Sequence, residues 1–135
     1  MSDAAGRPLP IPDRDSEPFW RSLHEGVLRV QRCRACGALR WPPRELCNRC
    51  HTFSTEWIAL SGRGRIVSWV RTHQVFAPAW RDLVPYDVVL VALEEQEDLQ
   101  LPGRLEGAEP LAGLAVRARF VRASDAVTLL HWEPA

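Results

Sequence analysis

CRACGALRWPPRELCNRC, residues 33–50, holds every cysteine of the chain: Cys33, Cys36, Cys47 and Cys50. They form two Cys-x-x-Cys pairs with the ten residues GALRWPPREL between them. Two short chelating turns brought together make a tetrahedral thiolate cage, the closed geometry of a structural zinc ion. Four thiolates also suit iron in a rubredoxin-like site, so zinc is the default and iron stays open. A pair of disulfides would need an oxidising compartment, and residues 1–18, MSDAAGRPLPIPDRDSEP, lack the apolar core of a secretory signal. CNRCH matches a haem-attachment pattern with His51 as axial ligand, but that chemistry needs export and leaves Cys33 and Cys36 without a role. No βαβ pattern surrounds either pair, which argues against a thioredoxin-like redox site.

Working outward, the cage divides the chain into an arm and helix before it and a β-rich segment after it. Residues 1–15 carry Pro8, Pro10 and Pro12 and no periodic pattern, and read as a flexible arm. Ser16 reads as a helix N-cap, with Glu17 and Pro18 in the first turn, Phe19, Trp20 and Leu23 at helical spacing, and Gly26 as the stop. Residues 27–32 lead as a strand into the first cysteine turn. Leu39 and Trp41 continue as a strand that ends at Pro42 and Pro43. Arg34, Arg40, Arg44 and Arg49 read as solvated charge around the ribbon that helps to stabilise the thiolates. The helix and ribbon occupy residues 16–59, and residues 60–135 form the β segment.

In that segment Gly62 and Gly64 bracket a turn into RIVSWVRTHQVF. Val67, Trp69, Arg71 and His73 should point one way, and Ile66, Ser68, Val70 and Thr72 the other. PYDVVLVAL, residues 85–93, reads as a strand buried on both faces. The acidic EEQED turn precedes a strand at residues 99–105, and EGAEPLAGL holds a turn or brief helix. Residues 115–122 place Val116, Ala118 and Phe120 inward and Arg117 and Arg119 outward. AVTLLHW closes the chain. Five strands with an irregular insertion between the third and fourth fit a small Greek-key barrel of the OB type, whose closure removes exposed edges. A sandwich shares this punctuation; the predicted fold is mainly β, an N-terminal helix and rubredoxin-like zinc ribbon followed by a five-stranded OB-fold barrel.

Composition narrows the function. The chain has 135 residues, 46% of them hydrophobic, enough for one core and a satellite module. No apolar run is long enough to span a membrane, and the expected location is the cytoplasm. Seventeen basic residues, all arginine, balance seventeen acidic ones, which argues against a general nucleic-acid binder.

The series FW, G-x-L, QRC-x-ACG, W-x-PR and the second cysteine pair, followed by SGRGRIVSW and PYDVVLVALEE, resembles the DUF35 family across about residues 18–133. The resemblance implies an accessory subunit or domain that binds and stabilises a thiolase-fold acyl-CoA enzyme. Such a partner is a thiolase or a retro-aldol lyase, as in steroid side-chain degradation, and a MaoC-like hydratase is a second partner class. It implies a hetero-oligomer with the barrel near the acyl-CoA. The proline-rich start departs from a plain member and fits a linker from a preceding hydratase-like domain.

No catalytic constellation accompanies the cage: His24, His51, His73 and His131 stand apart in the sequence, with no serine or cysteine spaced for activation. A cage of four thiolates also lacks the open position of a catalytic zinc. The loop Phe76–Pro85 is unusually apolar for a connection. It either folds back to plug the barrel or docks a partner, with Phe76, Trp80 and Arg81 as interface anchors. Trp20 and Trp41 carry the same choice between core and contact. His73, Arg117 and Arg119 are candidates for the partner or the acyl-CoA. The competing reading is a zinc-ribbon and OB nucleic-acid module, which would need a basic groove interleaved with stacking aromatics.

Overall fold

The structure, a computed structural model, describes residues 6–135; the first five residues of the expected arm lie outside it. Helix α1 spans Glu17–His24. Ser16 occupies the N-cap position as expected, but its side chain makes no cap hydrogen bond to the helix and instead pairs with Asp13. The Asp13 carboxylate accepts from the Ser16 N–H at 2.8 Å, its carbonyl accepts from Glu17 N–H at 2.9 Å, and Ser16 Oγ accepts in return from the Asp13 N–H. The C-terminus closes as a Schellman motif: Val27 N–H reaches the Ser22 carbonyl, Gly26 N–H reaches Leu23, and Gly26 takes φ +77°.

A three-stranded ribbon sheet follows, built from β1 (Arg29–Cys33), β2 (Leu39–Arg40) and β3 (Thr55–Ala59) in the order β2-β1-β3. β2 is shorter than expected because the chain turns at Pro42 and Pro43. β3 had no strand assignment from sequence.

β4 (Arg63–Thr72), β5 (Tyr86–Leu93), β6 (Gln100–Leu105), β7 (Ala115–Arg122) and β8 (Thr128–Pro134) form a closed barrel in the order β4-β5-β6-β8-β7. β6 and β8 pair parallel and the other neighbours antiparallel, which is the OB arrangement.

Two strand expectations need correction. The simple alternation along β4 fails because a bulge at Val67 shifts the register between Ile66 and Ser68. β5 is not buried on both faces: Val89, Val91 and Leu93 fill the interior, while Val88, Leu90 and Ala92 face outward and are half-buried. Residues 106–114 form turns, one of the two forms expected of EGAEPLAGL.

One continuous core joins the parts. Phe19 and Leu23 from α1 and Leu28 and Val30 from the ribbon pack in the same cluster as Ile66, Val89, Val91, Leu101, Val116 and Trp132 from the barrel. The acidic turn after β5 adds a polar latch. The Gln96 side chain accepts from the Leu39 N–H at 2.9 Å and donates to the Leu39 carbonyl at 2.8 Å, extending the ribbon sheet by one side chain. Arg49 pairs with Asp98 beside it.

Trp132 is fully buried and lies against the backbone of Gly103. A Cβ on Gly103 would come within 2.7 Å of the Leu130 carbonyl and of the Trp132 ring. Gly103→Ala is therefore expected to destabilise the chain by about 1–3 kcal/mol through overpacking, read from urea unfolding. A midpoint unchanged from the wild type would contradict this packing.

Candidate metal centre and docking face

The two cysteine turns repeat one local design. Cys33 N–H bonds the Ala38 carbonyl and Gly37 N–H bonds the Cys33 carbonyl; Cys47 N–H bonds Thr52 and His51 N–H bonds Cys47. The residue after each pair has positive φ, +77° for Gly37 and +62° for His51. His51 thus occupies the left-handed corner of the second turn, which accounts for CNRCH without haem.

The four Sγ atoms lie within 4.8 Å of one another, with Cys33–Cys50 at 3.5 Å and Cys36–Cys47 at 3.7 Å. A tetrahedral ion with metal–sulfur bonds of about 2.3 Å spaces its sulfurs about 3.8 Å apart, whereas a disulfide needs about 2.05 Å. The donor set and its spacing fit a metal held by all four cysteines. Cys33 and Cys47 are buried, Cys50 is half-buried and Cys36 is exposed.

Supporting groups aim at the sulfurs. Thr52 Oγ1 lies 3.1 Å from Cys50 Sγ and 3.4 Å from Cys33 Sγ, and the Arg49 N–H donates to Cys47 Sγ at 3.4 Å. The Thr52 hydroxyl and the Cys36 N–H hold the Cys33 thiol down to about 6. The N–H groups of Cys50 and Arg49 lower Cys47. Cys36 is pushed up to about 11: the Ala38 N–H works to lower it, but desolvation and the neighbouring thiols outweigh that.

The remaining candidates separate into core and surface. Trp20 stacks edge-on against Phe19 at 5.2 Å, and Trp41 lies 5.8 Å from the same ring; both are half-buried and belong to the joint between helix and ribbon. His73, Phe76 and Arg81 are exposed on the loop between β4 and β5, with Phe76 74% exposed. Trp80 sits on a single 3-10 turn, Pro78–Trp80, half-buried 5.5 Å from Tyr86 with Arg7 over its ring. Arg117 and Arg119 are exposed but both pair with Glu133, and Arg119 also with Glu106. Arg40 does not decorate the surface as expected; it is buried.

The surface that sequence reasoning missed is the second half of β4. β7 pairs with β4 only at Arg63–Arg65, and residues 113 and 114 bond Ile66, so among the described residues β5 is the only strand paired with β4 beyond the bulge. Val67, Trp69 and Val70 are 42%, 42% and 63% exposed there, next in sequence to the Phe76 loop. Val70 joins Val88, Leu90 and Pro102 in an apolar patch on the outer face of β4, β5 and β6, while Trp69 lies opposite Val89 on the other face. An open cleft of about 770 Å³ lies at the other end of β4, lined by Arg63, Arg65, Val67, Glu94 and Glu97 among others. The bulge breaks the alternation, so the pattern alone could not assign these side chains to a face.

Ribbon, barrel and cage define a two-module metal-ribbon and OB-fold protein. Residues 20–56 match the model of the ChsH2 rubredoxin-like zinc ribbon domain, and residues 57–121 that of the ChsH2 C-terminal OB-fold domain. The chain belongs to this ChsH2 group of DUF35 proteins. It superposes with TM-score 0.82 on the solved structure titled Ltp2-ChsH2(DUF35) aldolase, at 30% identity over 93% of this chain and 98% of that one. It is 33% identical over 146 residues to the 3-oxo-4,17-pregnadiene-20-carboxyl-CoA hydratase alpha subunit of Mycobacterium tuberculosis, covering 96% of this chain and 45% of that protein. It therefore spans less than half the length of that relative. A DUF35 domain-containing scaffold protein of Methanocaldococcus jannaschii is 29% identical over 111 residues, 78% of this chain and 77% of the other.

Cys36→Ser is expected to lose bound metal, lowering affinity tenfold or more, because three thiolates cannot close the cage. Elemental analysis with hydrogen exchange checks this: β1–β3 amides should lose protection first, while the barrel keeps its own. Full metal content and unchanged ribbon protection would refute it.

Proposed function

We propose that this chain is a non-catalytic accessory subunit or domain that binds and stabilises a thiolase-fold acyl-CoA enzyme. The partner is a thiolase or retro-aldol lyase, with steroid side-chain breakdown as the favoured setting. A hydratase module is a further associate. The observation that carries the reading is the near-full-length likeness to a DUF35 chain in an aldolase structure, together with the outer-face apolar patch of Val70, Val88, Leu90 and Pro102. Contiguous exposed apolar surface of this kind marks an interaction site. The cage holds zinc, which closes the ribbon and supplies no open position for chemistry. The cleft beside Arg63 and Arg65 is of a size that suits a small ligand, and arginine is suited to the phosphates of an acyl-CoA.

The histidines support a non-catalytic role. His24 bonds Thr128 and Arg122, His131 bonds Glu106, His51 forms the left-handed corner of the cage, and His73 is exposed on the loop. The nucleic-acid reading is disfavoured by the face that OB folds use for oligonucleotides, the outer side of the second and third strands. Here that face presents Val88, Leu90 and Pro102 with Arg104, apolar where a phosphate track would be basic.

Co-purification with a thiolase-fold acyl-CoA enzyme from the same source tests the proposal, followed by Val70→Glu and Phe76→Ser. Each variant should weaken the complex by roughly tenfold or more while leaving the melting temperature near that of the wild type. A chain that forms no complex with such an enzyme, and instead shows salt-dependent binding to single-stranded DNA, would sink it.

A further inference from the structure

Arg40 is the only arginine buried among the described residues, at 3% exposure. A buried guanidinium stays charged and normally has a carboxylate beside it. The acceptors of Arg40 are all neutral. Nε and Nη2 donate to the Arg44 carbonyl at 3.2 and 2.9 Å, and Nη2 also reaches the Glu45 carbonyl and the Thr55 hydroxyl. Nη1 is buried without a partner.

The sheet register shows what lies next to it. Arg40 pairs with Gln31 across β2 and β1, and Cys33 pairs with Thr55 across β1 and β3. Cross-strand partners share a face, as do residues 31 and 33 on one strand. Arg40, Gln31, Cys33 and Thr55 therefore occupy the face of the sheet that carries the cage. From β2 the Arg40 guanidinium reaches Thr55 on β3, the cross-strand neighbour of Cys33. One cross-strand spacing, about 5 Å between Cβ atoms, separates Thr55 from Cys33.

Four thiolates around a divalent ion leave two negative charges, and no lysine exists in this chain to balance them. We propose that Arg40 is the counter-charge of the metal-loaded cage. It is a positioning residue that strengthens metal binding by electrostatic compensation, beyond its hydrogen bonds to the Pro42–Glu45 turn. The ion lowers the cost of burying the arginine, and the arginine lowers the cost of concentrating four thiolates. The inference goes beyond partner docking and rests only on the cage holding metal.

Zinc affinity of the full chain, measured by competition with a chromophoric chelator, tests the assignment. Arg40→Gln should weaken zinc binding tenfold to a hundredfold, the range for loss of groups that support metal ligands. Arg40→Lys, which keeps the charge but not the planar fork, should stay within about threefold of the wild type. Cys36→His removes one negative charge from the cage, so in that background the Arg40→Gln penalty should shrink at least threefold. Arg40→Met, which keeps the packing of the stem, serves if the Gln variant does not fold, and should lose zinc at least as readily. The proposal is overturned if the Gln or Met variant binds zinc within twofold of the wild type. It is equally overturned if Lys is as weak as Gln, or if the penalty is unchanged by Cys36→His. A chain that bound no zinc even as the wild type would instead refute the metal reading on which the proposal rests.

Discussion

The ribbon has almost no apolar core of its own: Cys33, Ala38 and Cys47, with Cys50 packed against them. A cluster that small cannot offset the entropy of ordering two loops, so the metal–thiolate bonds must hold the module closed. Much else follows from that closure. The chain runs along β1 into the first cysteine turn with Leu28 and Val30 on the side of the main core, where they meet Phe19 and Leu23 from the helix. Trp20 and Trp41 fill the same joint, so two of the residues that could have been surface anchors serve instead to seat the ribbon.

Polar contacts set how the ribbon meets the barrel. Gln96 borrows both backbone groups of Leu39, and Arg49 meets Asp98, so the acidic turn between β5 and β6 grips the ribbon from the barrel side. Its acidity is thus part of a joint. The arginines divide in the same way. Arg117 and Arg119 are tied to Glu133, Arg71 to Asp87 and Glu109, and Arg40 is buried. These four arginines are held within the chain, and half of the large exposed apolar side chains among the described residues, Val67, Trp69, Val70 and Phe76, lie on β4 and the loop that follows.

Closure of the barrel is local, and this has a consequence for docking. β7 covers only the first three residues of β4. The bulge at Val67 bends the rest, leaving Trp69 and Val70 exposed. An apolar strand with an uncovered edge is normally blunted by charge or proline. Here Arg71 is drawn aside by Asp87 and Glu109, and no proline interrupts β4. The surface remains available for another chain.

The metal cage was legible from spacing alone, because a Cys-x-x-Cys turn is a local structure whose chemistry does not depend on the rest of the fold. Helix, ribbon and five barrel strands were likewise legible, since hydrophobic period and turn residues act over a few positions. Other features were decided only by tertiary structure. Ser16 sits at the N-cap but its hydroxyl turns back to the Asp13 N–H instead of capping the helix. β3 became a strand because β1 offered it an edge, and the outer face of β5 stayed half-covered because the barrel has one interior. Whether Arg40 or Trp69 would be buried could not be read from local pattern. Burial of a single side chain depends on which distant strand crosses it, and a one-residue bulge is enough to reverse a face.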